Sequence, residues 1–216
     1  MSTLYFSRNP NPRLAVAVAR HLNVPVTLQW ASPFDPAQAE KFRSLNPTQL
    51  IPILVENAPP LWEADAIACR LSMMVNSNFW RMDGSLPDMV RWISWGKPHF
   101  VHACDMVHFE VGTKQRYNQG PADPAKIKAG TELFHRSAAL LNTHLRNHEF
   151  LLDSGVSYAD FRMATFLPFN DVACLPLTDY PHISRWNENL IALPAWADPF
   201  AGLDAPQLPP IPPQLN

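Results

Sequence analysis

Two stretches of this chain are built to hold a ligand. Asn46-Pro-Thr-Gln-Leu-Ile-Pro-Ile-Leu54 puts a proline at the mouth of an apolar strand, and Leu61-Trp-Glu-Ala-Asp-Ala-Ile67 follows a few residues later. X-Pro is the only peptide for which cis costs under about 1 kcal/mol, so Ile51-Pro52 is a candidate cis bond. A cis bond there would leave a backbone edge open. Ile51 would then offer its N–H and C=O to an extended peptide ligand in the manner of an added strand. In the second stretch Glu63-Ala64-Asp65 ends a strand and opens a helical pattern carried by Ile67, Leu71 and Val75. Free N–H groups and a positive dipole end at such a start favour an anionic group on the same ligand.

The elements that must position these residues follow from periodicity. Thr3 to Phe6 reads as a strand. Leu14, Val18 and Leu22 recur at helical spacing after Asn11-Pro12, an N-cap with proline at the first helical position. Val26, Leu28 and Trp30 alternate as in a strand, and a short helix is expected around Ala37 to Leu45. Pro52 to Val55 and Leu61 to Trp62 pair across a turn at Asn57-Ala-Pro-Pro60. The order is βαβαββα, a small α/β unit over residues 1–78. A polar linker at 79–87, with Asp83-Gly84-Ser85 and Pro87, separates it from a region without strand signals, 88–204. Helices are expected there over Asp88 to Tyr117, Asp123-Pro124 to Asn147, Ser157 to Phe169 and Pro181 to Ala192. Pro98 should kink the first. Ser157-Tyr-Ala-Asp160 has capping-box spacing. A proline-rich tail, 205–216, reads as extended polyproline, lying on the surface or, as the competing reading, offered to another protein.

Composition narrows the function. With 216 residues and 47% hydrophobic content the chain can fill a core. A net charge of −2 without a basic run argues against nucleic acid. No apolar run approaches the roughly 18 to 20 residues of a spanning helix, and the first residues lack a signal-peptide core. Cys69, Cys104 and Cys174 are few, odd in number and widely spaced, as reduced thiols are. A cytoplasmic enzyme or binding protein is expected, with no nucleic acid and no membrane as partner.

The two ligand-holding stretches resemble the glutathione-binding half of the cytosolic glutathione transferases, whose pattern runs N-P-x-G-x-V-P-x-L and then L-x-E-S-x-A-I. Phe150-Leu-Leu-Asp-Ser-Gly-Val-Ser-Tyr-Ala-Asp-Phe161, Tyr180-Pro-His-Ile-Ser-Arg-Trp186 and Leu193-Pro-Ala195 resemble that family's helical domain, so the resemblance covers nearly the whole chain. It implies an α/β N-terminal thioredoxin-like domain plus an all-α C-terminal helical domain. By the resemblance Ile51 pairs with the cysteinyl backbone of glutathione, and Glu63 and Ala64 hold its γ-glutamyl end. Gln49, Leu50, Pro52 and Asp65 complete the expected glutathione site. Ala64 stands where the family has serine, Gln49 where it has glycine, and Leu50 where it has a polar residue.

A glutathione transferase must ionise a thiol whose free pKa is about 8.5, and lowering it by two units takes about 2.7 kcal/mol. The family directs a Ser, Tyr or Cys at the sulfur from the loop before the first helix. Here that loop reads Ser7-Arg-Asn-Pro-Asn-Pro-Arg13. The serine or tyrosine position falls on Asn9 and the cysteine position on Asn11. An amide N–H donor contributes about 1.5–3 kcal/mol to a charged acceptor. Asn9 is therefore the first candidate donor, with Asn11 and Ser7 as alternatives and Arg13 as a source of positive potential; turn and cap chemistry alone is the competing reading for both asparagines.

The second substrate, a small apolar electrophile, is expected between the domains against the kinked helix, at Trp95, His99, His102 and Met106, with the competing reading that such aromatics are core. His99 and His102 lie one turn apart near Cys104, Asp105 and His108, but no ligand spacing is diagnostic, and no metal is expected. Glutathione is the expected co-substrate and the resemblance implies a homodimer in detoxification. The leading function is transfer of glutathione thiolate to the electrophile. The alternative is a non-catalytic glutathione or hydrophobic-ligand carrier, or a protein-interaction module, that kept the fold.

Overall fold

The structure, a computed structural model, describes residues 2–212 apart from Phe34 and Ala58. It divides into two units, Met1–Met82 with Ile191–Gln207, and Asp83–Leu190 with Leu208–Asn216. The first has the expected thioredoxin-like α/β architecture and the second is helical. Ile191–Gln207, assigned by sequence largely to the helical domain, packs with the α/β unit.

In the α/β unit, β1 (Thr3–Phe6), α1 (Pro10–His21), β2 (Thr27–Trp30), α2 (Pro36–Leu45), β3 (Ile53–Val55), β4 (Leu61–Trp62) and α3 (Ala64–Met74) follow the predicted order. The sheet runs β2-β1-β3-β4, with β1 parallel to β2 and antiparallel to β3, and β3 antiparallel to β4. Period-two alternation assigns the faces. Leu4 and Phe6 are buried, as are Leu14, Val18, Ile67 and Leu71 of α1 and α3. Tyr5 points the other way and meets Phe42, the one buried residue of α2, edge-on at 5.3 Å.

Helix α1 starts two residues earlier than expected, with Asn9 at the N-cap position and Pro10 at its first position. Both Asn-Pro pairs carry the same start signal. Pro12 is tolerated inside the first turn because the N–H it lacks would have no intrahelical partner there. The turn at 57–60 contains Ala58, outside the described residues.

The helical unit contains α4 (Leu86–Gly96), α5 (His102–His108), α6 (Lys114–Arg116), α7 (Pro124–Leu145), α8 (Tyr158–Met163), α9 (Asn170–Ala173) and α10 (Pro181–Ile191). The interruption expected at Pro98 takes the form of a π-helical turn, Lys97–Val101. A second π turn, Phe109–Thr113, has no proline to announce it. Helix α8 is shorter than predicted, ending at Met163. Pro168 disfavours helical geometry at Leu167, and the chain continues as a 3-10 turn, Leu167–Phe169. The capping box forms: Asp160 Oδ2 accepts from the Ser157 N–H at 2.9 Å. Residues 203–212 form no helix or strand, and Arg116 donates to the Pro209 carbonyl at 2.7 Å. The tail beyond Pro212 lies outside the described residues.

Helices α5 and α7 approach closely at Gly130. A methyl there would stand 2.9 Å from Val107 Cγ2, 3.0 Å from Met106 Cβ and 3.3 Å from the Ala103 carbonyl oxygen. Gly130→Ala is expected to lose about 1–2 kcal/mol of stability, because overpacking outweighs the roughly 1 kcal/mol of helix propensity gained. Urea denaturation checks this, and an unchanged midpoint would mean that the two helices part at no cost.

Candidate functional site

Sheet register brings the predicted ligand residues to one end of the α/β unit. Tyr5 pairs with Ile53, and Ile53 with Trp62. The end of β1, the start of β3 and the end of β4 therefore lie at one end of the sheet, where Ser7 follows β1, Ile51 precedes β3 and Ala64 follows β4. The N-termini of α1 and α3 open at this end, at Pro10 and Ala64, so the sheet delivers two helix starts and one unpaired strand approach together.

The Ile51-Pro52 peptide is cis. Pro52 is buried, Ile51 half-buried, and Leu50 53% exposed. The loop before them is held by Asn46, which is buried. Its Oδ1 accepts from the Thr48 N–H and Oγ1–H, each at 3.0 Å, and its Nδ2 donates to the Leu50 carbonyl at 2.8 Å. In the sequence Asn46 stands out only as the first residue of the motif. The signal for its role was available, since an asparagine two residues before a threonine is an Asx-turn pattern.

Two non-glycine residues at this site have left-handed or related backbone, Gln49 with φ 57° and Glu63 with φ 73°. An L side chain in the left-handed region costs about 1–2 kcal/mol. Gln49→Gly should remove that cost while loosening the unfolded chain by about 0.4–1 kcal/mol, so a net gain of up to about 1 kcal/mol is expected in thermal unfolding. A net loss would mean that the Gln49 side chain stabilises the loop. Ala64 is buried, Glu63 exposed and Asp65 half-buried.

On the loop after β1, Ser7 is buried, Asn9 half-buried and Asn11 exposed at the second position of α1. Ser7 Oγ accepts from Asn9 Nδ2 at 3.1 Å and from the Asn9 N–H at 3.3 Å. Among the described residues no acceptor takes the Ser7 hydroxyl proton. Arg13 is buried and directed away from this loop: it donates to the Trp196 carbonyl, with its guanidinium 4.9 Å over the Trp196 ring. Burial lowers its pKa to about 10, with Asp198 opposing, so the charge persists at neutral pH but is spent on Trp196.

In the helical unit, Trp95 and His99 stack at 5.5 Å, and His99 Nδ1 lies 2.6 Å from the Trp95 carbonyl. A carbonyl only accepts, so Nδ1 carries the proton. His99 and His102 are exposed; Met106 is half-buried and its Cβ faces Gly130 of α7. Burial raises the Asp105 pKa, against the pull of His102 and Arg162. Among the described residues no three His, Cys, Asp or Glu side chains are grouped to hold a metal ion, and no helix is long and apolar enough to cross a membrane.

Residues 106–194 match the family model described as glutathione S-transferase, C-terminal domain. Elongation factor 1-gamma of Prunus avium is 25% identical over an alignment of 225 residues that covers 94% of this chain and 49% of that protein, so this chain spans about half the length of that relative. Human glutathione-S-transferase T1-1 in its apo form is 19% identical, with a TM-score of 0.83 over 99% of this chain and 94% of that one. A glutathione transferase family member from Pseudomonas fluorescens Pf-5, with two glutathione bound, is 17% identical, with a TM-score of 0.78 over 92% and 91%. At such identities the two structures establish a shared fold.

Proposed function

We propose that this chain, whose residues 106–194 match the glutathione S-transferase C-terminal model and whose fold is that of a glutathione transferase, is a member of that family, binding glutathione at the end of its sheet and holding the sulfur as a thiolate for attack on a small apolar electrophile. Ile51 offers its backbone to the cysteinyl unit. Glu63, Ala64 and Asp65 at the start of α3 hold the γ-glutamyl end, and the Asn46–Leu50 loop with Gln49 borders the ligand. The sulfur lone pair forms the new C–S bond, the leaving group departs with its bonding pair, and the thiol proton goes to solvent. Trp95, His99, His102 and Met106 as electrophile contacts, a homodimer and a cytoplasmic, detoxifying role belong to the same proposal.

One observation carries this reading. Ser7 Oγ accepts two hydrogen bonds from Asn9 and keeps its own O–H to give. Ser7 is then the direct donor to the sulfur, and Asn9 orients and polarises it. A charge-assisted bond of about 1.5–3 kcal/mol, with about 0.3–1 kcal/mol from the α1 dipole, reaches the 2.7 kcal/mol or so that a two-unit drop in thiol pKa requires. Ser7→Ala is expected to lower turnover about 10- to 100-fold with little change in glutathione affinity. Steady-state kinetics checks it, and unchanged turnover removes Ser7 from the chemistry.

The second reading is a binding or interaction module without turnover. It is favoured by the elongation factor relative and by Asn9 and Ala64 standing where the family pattern has hydroxyls. Calorimetric titration with glutathione in two buffers of different ionisation enthalpy separates the two. Binding with proton release near neutral pH supports the transferase. Binding without it, or none, supports the module.

A further inference from the structure

We infer that the returning segment Ile191–Gln207 positions the Ser7–Asn9 loop and that Arg8 is the positioning residue through which it acts; the inference rests on the role proposed for that loop. Arg8 lies between Ser7 and Asn9. Its Nε donates to the Ala205 carbonyl at 3.0 Å, and its guanidinium lies 4.6 Å over the Phe200 ring. Phe200 in turn stacks on Phe6, the last residue of β1, at 5.7 Å and 21°. Ser7 is thus gripped on both sides: the residue before it and the residue after it close on the same aromatic ring of the returning segment.

Two more arginines fasten that segment to α1. Arg13 donates to the Trp196 carbonyl, and Arg20 Nη2 donates to the Ala201 carbonyl at 3.0 Å. Trp196, Phe200 and Ala205 are buried, so the segment is packed as well as tied. Within the loop, by contrast, the bonds onto Ser7 Oγ are long, 3.1 and 3.3 Å. A charge-assisted Arg8 bond at 3.0 Å, reinforced by the ring beneath the guanidinium, is the stronger constraint on where the loop lies. Arginine suits this better than lysine, because its planar head stacks and donates at once. The three anchors also separate in position. Arg8 sits in the loop, whereas Arg20 holds the same segment from the far end of α1.

The test measures the thiol pKa of glutathione bound to the full chain, from the pH dependence of thiolate absorbance, in the wild type, Arg8→Gln, Arg8→Lys and Arg20→Gln. The expected result is a rise of about one unit in both Arg8 variants, a tenfold fall in the thiolate-to-thiol ratio, with glutathione affinity unchanged and Arg20→Gln indistinguishable from wild type. An unmoved pKa in Arg8→Gln overturns the inference. Recovery in Arg8→Lys overturns it too, since charge alone would then suffice, and an equal shift in Arg20→Gln would reduce Arg8 to general stabilisation. Hydrogen exchange at the Asn9 amide, bonded to Ser7 Oγ, reads the loop without any thiol. It should quicken in Arg8→Gln and not in Arg20→Gln. If wild type fails to ionise glutathione, the transferase reading falls while this exchange still decides the positioning: unchanged Asn9 exchange in Arg8→Gln overturns it.

Discussion

Replacing Asp160 with alanine is expected to remove about 3–5 kcal/mol of stability, the largest effect of any single substitution considered for this chain. The carboxylate is fully buried and serves four donors. Oδ1 accepts from the Leu151 N–H at 2.8 Å and from Trp186 Nε1–H at 3.0 Å; Oδ2 accepts from the Ser157 N–H at 2.9 Å and its hydroxyl at 3.1 Å. Alanine would leave two backbone amides and an indole N–H buried without partners. Each such group costs about 1–3 kcal/mol, and relaxation recovers part. Asp160→Asn should lose roughly half as much, because its amide nitrogen cannot accept from Ser157. Denaturant unfolding followed by tryptophan fluorescence checks both, and a loss below about 1 kcal/mol in Asp160→Ala would show that water replaces the carboxylate.

Acidification should destabilise the protein through His108. Its ring is buried beside Phe166 at 5.6 Å and Phe169 at 5.3 Å, and neither ring nitrogen has a hydrogen-bond partner among the described residues. Burial lowers its pKa to about 4, with Arg116 acting in the same direction and Asp171 against it. Between the unfolded value of 6.5 and about 4, the unfolded chain binds a proton that the folded chain refuses. The stabilisation is complete above pH 6.5 and is lost as pH falls through that window, by on the order of 3 kcal/mol. His21 and His144, also lowered by burial, add slope of the same sign. The measurement is therefore a difference: His108→Leu should flatten the pH dependence relative to wild type and raise stability at pH 5. An identical slope in the two proteins would place the titration elsewhere.

Legibility in the sequence followed the range of the interaction. Strands Thr3–Phe6 and Leu61–Trp62, the helix over α3 and the Ser157–Asp160 cap are set by alternation, helical period and a partner three residues away, all of which neighbouring residues determine. The cis Ile51-Pro52 peptide belongs with them, because only X-Pro makes that geometry accessible. The start of α1 lies two residues before the position that periodicity suggests, because two Asn-Pro pairs offer the same local signal. The π turn at Phe109–Thr113 carries no signal of its own.

By itself, then, the sequence determined the element order, the two-part architecture and the two stretches proposed for the ligand, since short-range sterics and periodicity suffice for each. Tertiary structure alone decided how those stretches meet. Ser7, Ile51 and Ala64 share one end of the sheet only through the registers of two strand pairs. Ser7 Oγ accepts the Asn9 side-chain amide only because the loop turns back at Asn9. Arg8 is fastened to Ala205, 197 residues away, and Asp160 to Trp186. Such contacts depend on where whole elements pack, and no local pattern encodes a partner so distant in the chain.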